Sequence, residues 1–170
     1  MLVPWHEFYG LLGTAAAALV ALLFVAVSIG TSVLTPDPDS RRNTGTYMSP
    51  VVFHYANVLF LSLIATIPTQ TWQSFGVVIG IASIGSVIYS IVVAVRVHRN
   101  PISDLPDRLC YGIIPVLCYA TGLVVAPLLF AEKTTGLNLL AGAALLLLVI
   151  NIRNAWDLMI SLAQRVNRPL

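Results

Sequence analysis

The chain has 170 residues, 58% of them hydrophobic and only 9% charged, with nine basic and seven acidic residues and a net charge of +2. A soluble domain carries about 25% charged residues, so this composition cannot coat a water-soluble fold, and it is far too apolar for a disordered chain. What remains is an integral membrane protein: a single small bundle with no room for a second domain.

A helix needs about 20 apolar residues to cross the hydrocarbon core. Five runs approach or exceed that length, at about 8–33, 50–67, 75–97, 109–130 and 137–160. The expected fold is therefore all-α, a polytopic transmembrane bundle of five helices. The first run lacks a basic leading segment and is longer than the apolar part of a signal peptide, so it reads as a span. The second is the shortest and holds His54 and Asn57. The segment from Thr35 to Ser49 is polar, contains Pro36 and Pro38, and is expected to be the longest loop. Before the fourth run, Asp104 is placed to cap a helix whose first turn holds Pro106 and Asp107.

Five spans put Arg41, Arg42, Arg96, Arg99, Arg108, Arg153, Arg165 and Arg168 on one side and Lys133 alone on the other. Basic residues collect on the cytosolic side. The N-terminus is therefore expected outside and the C-terminus inside. The aromatics fit this frame as interfacial belts. Trp5, Phe8, Tyr9 and Trp72 fall at the outer boundary, and Tyr47, Tyr55, Tyr111 and Trp156 near the inner one. Small residues mark helix contacts: Gly76, Gly80 and Ser83 on the third span, and Gly122 and Ala126 on the fourth. Pro115 and Pro127 are positioned to kink the fourth span. Tyr89 and Tyr119 lie deeper and are expected to knit the third and fourth spans together.

Ionisable groups inside a membrane are costly and are candidates for function. Here they gather towards the predicted cytosolic end: His54 and Asn57 on the second span, Asp107 and Arg108 on the fourth, and Asn151, Arg153, Asn154 and Asp157 on the fifth. All are expected within roughly the inner third of the bilayer, converging in part on one polar region. Asn151, Asn154 and Asp157 follow one side of a helix, and Arg153 and Asp157 are spaced to pair. Cys110 and Cys118, about 12 Å apart on one helix, cannot form a disulfide. No metal-ligand spacing, nucleophile motif or cofactor motif is present, and the scattered basic residues make no nucleic-acid surface.

The segments WHEFYGLLGTAAAALVALLFVAV, MSPVVFHYANVLF, DRLCYGIIP and INIRNAWDLMISL resemble an uncharacterised family of small bacterial five-helix membrane proteins. The resemblance covers most of the chain. It implies a bacterial inner-membrane location and brings no activity with it.

Three classes of function stand on the sequence. One is a non-catalytic protein that binds lipid, a partner subunit or a second copy of itself through the polar cluster. The second is an oligomeric channel or small transporter built on the polar line of the fifth span, although no acidic residue lies near mid-bilayer to couple an ion. The third is a lipid-modifying enzyme drawing on His54, Asp107 and Asp157. The first asks least of the residues present, with no catalytic group, metal or cofactor.

Overall fold

The computed structural model describes the backbone of residues 2–33, 38–100 and 103–166, and the side chains of 2–28, 49–100 and 103–160. Five long helices carry the chain: α1 (His6–Val33), α2 (Pro38–Ala65), α3 (Trp72–Arg99), α4 (Leu105–Phe130) and α5 (Thr134–Val166). There is no strand among the described residues. The protein is an all-α bundle in which α1, α3, α4 and α5 are each long and apolar enough to cross a membrane. The apolar part of α2, Ser49–Ala65, gives about 25 Å of helix at 1.5 Å per residue. It packs between α1, α3 and α5.

Leu11, Leu22, Ile81, Ile84, Ile88 and Leu117 are exposed, while His54, Ser62, Ser86, Ser90, Asn151 and Asn154 are buried. In water such an apolar exterior would aggregate. In lipid it is the expected surface, because the polar groups must find their partners inside.

Small residues decide which helices meet. Gly122 of α4 lies directly against the Ser83 side chain of α3, and Gly76 lies against the Ala126 carbonyl. The two small-residue stripes expected from the sequence thus pack on each other. Gly80 is looser, with Ala126 Cβ at an ordinary 3.5 Å from the position its own Cβ would take. The same glycine-on-serine contact joins α1 to α2, where a Cβ on Gly13 would come within 2.9 Å of Ser62 Cβ.

The second helix differs from expectation. It begins at Pro38 rather than near Pro50, so most of the expected loop from Thr35 to Ser49 is helical in its backbone. Pro38 suits a first helical position, where a missing N–H costs nothing. The chain runs through Pro50 without ending, losing a single main-chain bond. The side chains of 29–48, including Arg41, Arg42 and Tyr47, lie outside the described residues, as do those of Arg165 and Arg168.

Helix ends follow local chemistry. Thr71 and Ser74 form a reciprocal capping box at the start of α3. Asp104 holds the N-cap position before α4, but its side chain makes no capping bond. At the α4–α5 turn, Glu132 takes φ 54°. Lys133 N–H donates to Leu128 O and Glu132 N–H to Leu129 O, both at 2.9 Å. That is a Schellman closure with glutamate where glycine is usual.

Within α4, Arg108–Ile113 forms a π-helical stretch. Pro115 accounts for it. In the widened register Ile114 N–H donates to Leu109 O. The next donor in that register would be Pro115, which has no N–H, so Cys110 O is left without a main-chain partner.

Candidate functional site

Asn154 of α5 fills the vacancy that Pro115 creates: its Nδ2 donates to Cys110 O at 3.1 Å. The Tyr111 hydroxyl returns across the same contact, donating to Asn154 O at 2.8 Å. One turn deeper, Asn151 Nδ2 donates to Val51 O of α2 at 2.7 Å. The polar line on α5 therefore divides, with Asn154 serving α4 and Asn151 serving α2. Both residues are buried, and each fastens helices in a medium with no competing water.

His54 and Asn57 reach partners on α4 and α3. His54 Nδ1 shares a 2.8 Å hydrogen bond with the Tyr119 hydroxyl. Ser86 Oγ donates to Asn57 Oδ1 at 3.0 Å, and Asn57 Nδ2 donates to Phe53 O at 2.9 Å. Tyr119 and Ser86 lie near the midpoints of α4 and α3, so these contacts join α2 to the middles of its neighbouring helices. Within α2 itself His54 lies five residues past Ser49, where the apolar part of the helix begins. Tyr89 and Tyr119 likewise tie to α2 rather than to each other's helix. Tyr89 bonds Ser49 at 3.2 Å and stacks on Phe53 with ring centroids 3.9 Å apart.

The remaining members of the predicted cluster lie at the basic end of the bundle. Arg153 pairs with Asp157 at 2.8 Å, one helical turn away. Its Nη1 also donates weakly to Asn154 Oδ1 at 3.4 Å. Asp107 lies within electrostatic range of both Arg153 and Asp157. The pair is about 40% exposed, so it adds only about 0.5 kcal/mol to stability. The cluster thus separates into a pair of contacts at the middles of α3 and α4, two asparagine staples and an ionic group of Asp107, Arg153 and Asp157.

Arg108 departs from all of these. It turns towards α3 and lines a groove of ≈ 470 Å³ between the basic ends of α3 and α4. His98 and Arg99 of α3 join it at the rim, and Ile91, Val95, Ile113 and Leu117 form the apolar walls. Among the described residues, Arg108 Nε is buried without a partner. The sequence places Arg108 with Asp107 by their common depth at the expected cytosolic end, and the expected cluster does not include His98 or Arg99. Adjacent residues on a helix point about 100° apart, and the short connection from Asn100 to Asp104 brings the end of α3 beside the start of α4. That connection was the available signal.

No protein family, curated protein or solved structure matches the chain. The reading of the site therefore stands on its own geometry. Among the described residues, no three His, Cys, Asp or Glu side chains gather where they could hold a metal ion. The predicted belt is also partly drawn inward: Trp156 is 67% exposed, whereas Tyr9, Tyr55 and Tyr111 are buried.

Proposed function

We propose that this integral membrane protein is non-catalytic and holds an anionic phospholipid of the inner leaflet in the α3–α4 groove. The observation that carries the reading is Arg108, buried at Nε with no partner among the described residues, beside Arg99 and His98 at the mouth of an apolar groove. A guanidinium offers a rigid fork of donors that matches phosphate oxygens. Basic pockets between membrane helices on the cytosolic side suit lipid headgroups. From Arg108 to Leu117 the wall runs about 13 Å down the helix, room for much of an acyl chain.

The proposal takes the N-terminus as outside, from the eight-to-one division of basic residues. An Asp104→Cys variant should then react with an impermeant maleimide in inverted membrane vesicles and stay protected in right-side-out ones. The opposite pattern would reverse the orientation and put the groove in the outer leaflet.

The lipid reading is tested by native mass spectrometry of the detergent-purified protein with added phosphatidylglycerol or phosphatidylcholine. Phosphatidylglycerol should bind tighter, and Arg108→Gln should weaken it about fivefold, the equivalent of about 1 kcal/mol per interfacial arginine. Equal binding of the two lipids, or an unaltered preference in Arg108→Gln, would sink the proposal.

A transporter is the second reading. What favours it is a set of buried polar atoms without partners among the described residues: Tyr9 OH, Tyr55 OH, His54 Nε2, Ser90 Oγ and Asn151 Oδ1. Such atoms commonly recruit internal water. Against it, His54, Asn57, Asn151 and Asn154 are already engaged in holding helices together.

A further inference from the structure

On α4 the groove is lined by Leu117, Val116, Ile113 and Arg108. Leu117 and Ile113 are four residues apart, the ordinary spacing of neighbours on one face of an α-helix. Ile113 and Arg108 are five apart. At α-helical spacing the place beside Ile113 would fall to Leu109, an apolar side chain that is instead exposed. The extra residue belongs to the π-helical turn of Arg108–Ile113, which closes with Ile114 N–H on Leu109 O. One added residue rotates everything before it by about 100°. The turn thereby exchanges a leucine for an arginine at the mouth of the groove, and it keeps Asp107 on the side of Arg153 and Asp157.

Two residues outside the groove lining hold this register. In a continuous α-helix the Pro115 ring would meet the carbonyl four residues back, that of Tyr111. The wider turn relieves that contact. Asn154 takes up the carbonyl left over, donating to Cys110 O at 3.1 Å, and the Tyr111 hydroxyl donates back to Asn154 O at 2.8 Å. On the opposite side Gly112 packs on Ala94 of α3, whose Cα lies 3.4 Å from the position a Cβ on Gly112 would take.

We propose that the π-helical turn gives the groove its basic mouth, with Pro115 and Asn154 as positioning residues that act through Arg108. This role rests on the lipid reading of the groove. Without both restraints the turn closes to α-helical spacing, Leu109 comes to the groove and Arg108 turns to the α5 side, where Asp107 now lies. The groove then loses its hold on an anionic headgroup with Arg108 still in the chain.

The test exchanges two neighbouring side chains. In the native background, Arg108→Leu with Leu109→Arg should lower the preference for phosphatidylglycerol over phosphatidylcholine about fivefold, as loss of one interfacial arginine does. Pro115→Ala with Asn154→Leu should lower it as much. The four substitutions together should restore it, because residue 109 then lies in the groove; a purely structural role for Pro115 and Asn154 makes that variant the weakest binder. Crosslinking reads the register without any lipid. In a background of Cys110→Ser and Cys118→Ala, His98→Cys is combined with Arg108→Cys or with Leu109→Cys and treated with a short thiol-specific crosslinker. The pair with residue 108 should dominate in the native turn, and the pair with 109 after Pro115→Ala and Asn154→Leu. Pro115→Ala alone, which strips no hydrogen bond, should already move the crosslink part of the way, so the result does not depend on the double variant folding. A wild type without preference for phosphatidylglycerol would remove the lipid reading and leave the crosslinks to decide the register. The same dominant pair in every background, or a wild-type preference that the four substitutions fail to restore, would overturn the proposal.

Discussion

Gly122→Ala is expected to destabilise the protein by about 2 kcal/mol, within the range for overpacking a close contact. A Cβ at this position would overlap Ser83 Oγ and come within 3.0 Å of Ser83 Cβ. Rotating the serine relieves the first contact and leaves the second, so α3 and α4 would have to move apart. Ser83→Gly removes both atoms, leaving Ile79 Cγ2 at an ordinary 3.8 Å. The double variant should therefore recover most of the loss, a coupling that a cycle of the two substitutions measures directly. Gly142→Ala is the control, since nothing lies within 4 Å of a Cβ there, and it should be neutral or slightly stabilising. Unfolding in mixed micelles would report all three. A Gly122→Ala variant as stable as Gly142→Ala would mean that α3 and α4 do not meet at this point.

Asn154→Leu should cost about 2 kcal/mol. It strips the donor from Cys110 O in a part-buried contact, and an unsatisfied polar group away from water carries a penalty of about 1–3 kcal/mol. The cost should depend on Pro115. In a Pro115→Ala background the restored N–H can reach the main-chain carbonyls of the preceding turn, and the carbonyl no longer needs α5. Asn154→Leu should then cost less than about 1 kcal/mol, close to what interhelical hydrogen bonds measure in membranes. If the same loss appears in both backgrounds, Pro115 is not the source of the vacancy. These two residues link a defect in one helix to a staple on another.

The membrane class and the helix count were legible in the sequence because length and apolarity alone satisfy the bilayer. So was the Arg153–Asp157 pair, which depends only on spacing within one helix. The stripes of Gly76 and Gly122 were legible too, since small residues are the means by which helices approach closely in lipid. Tertiary structure decided the rest. The helices α3 and α4 are apolar on nearly every side, so no polar face announces how they are rotated in the bundle. Asp107 and Arg108 are neighbours in sequence, yet one joins the ionic group on α5 and the other the groove beside α3. His54 and Asn57 read as lying in the inner third of the bilayer because the second span is expected to start near Pro50. Their partners Tyr119 and Ser86 lie near the middles of α4 and α3, a match that depends on which helices lie alongside and not on distance from a proline.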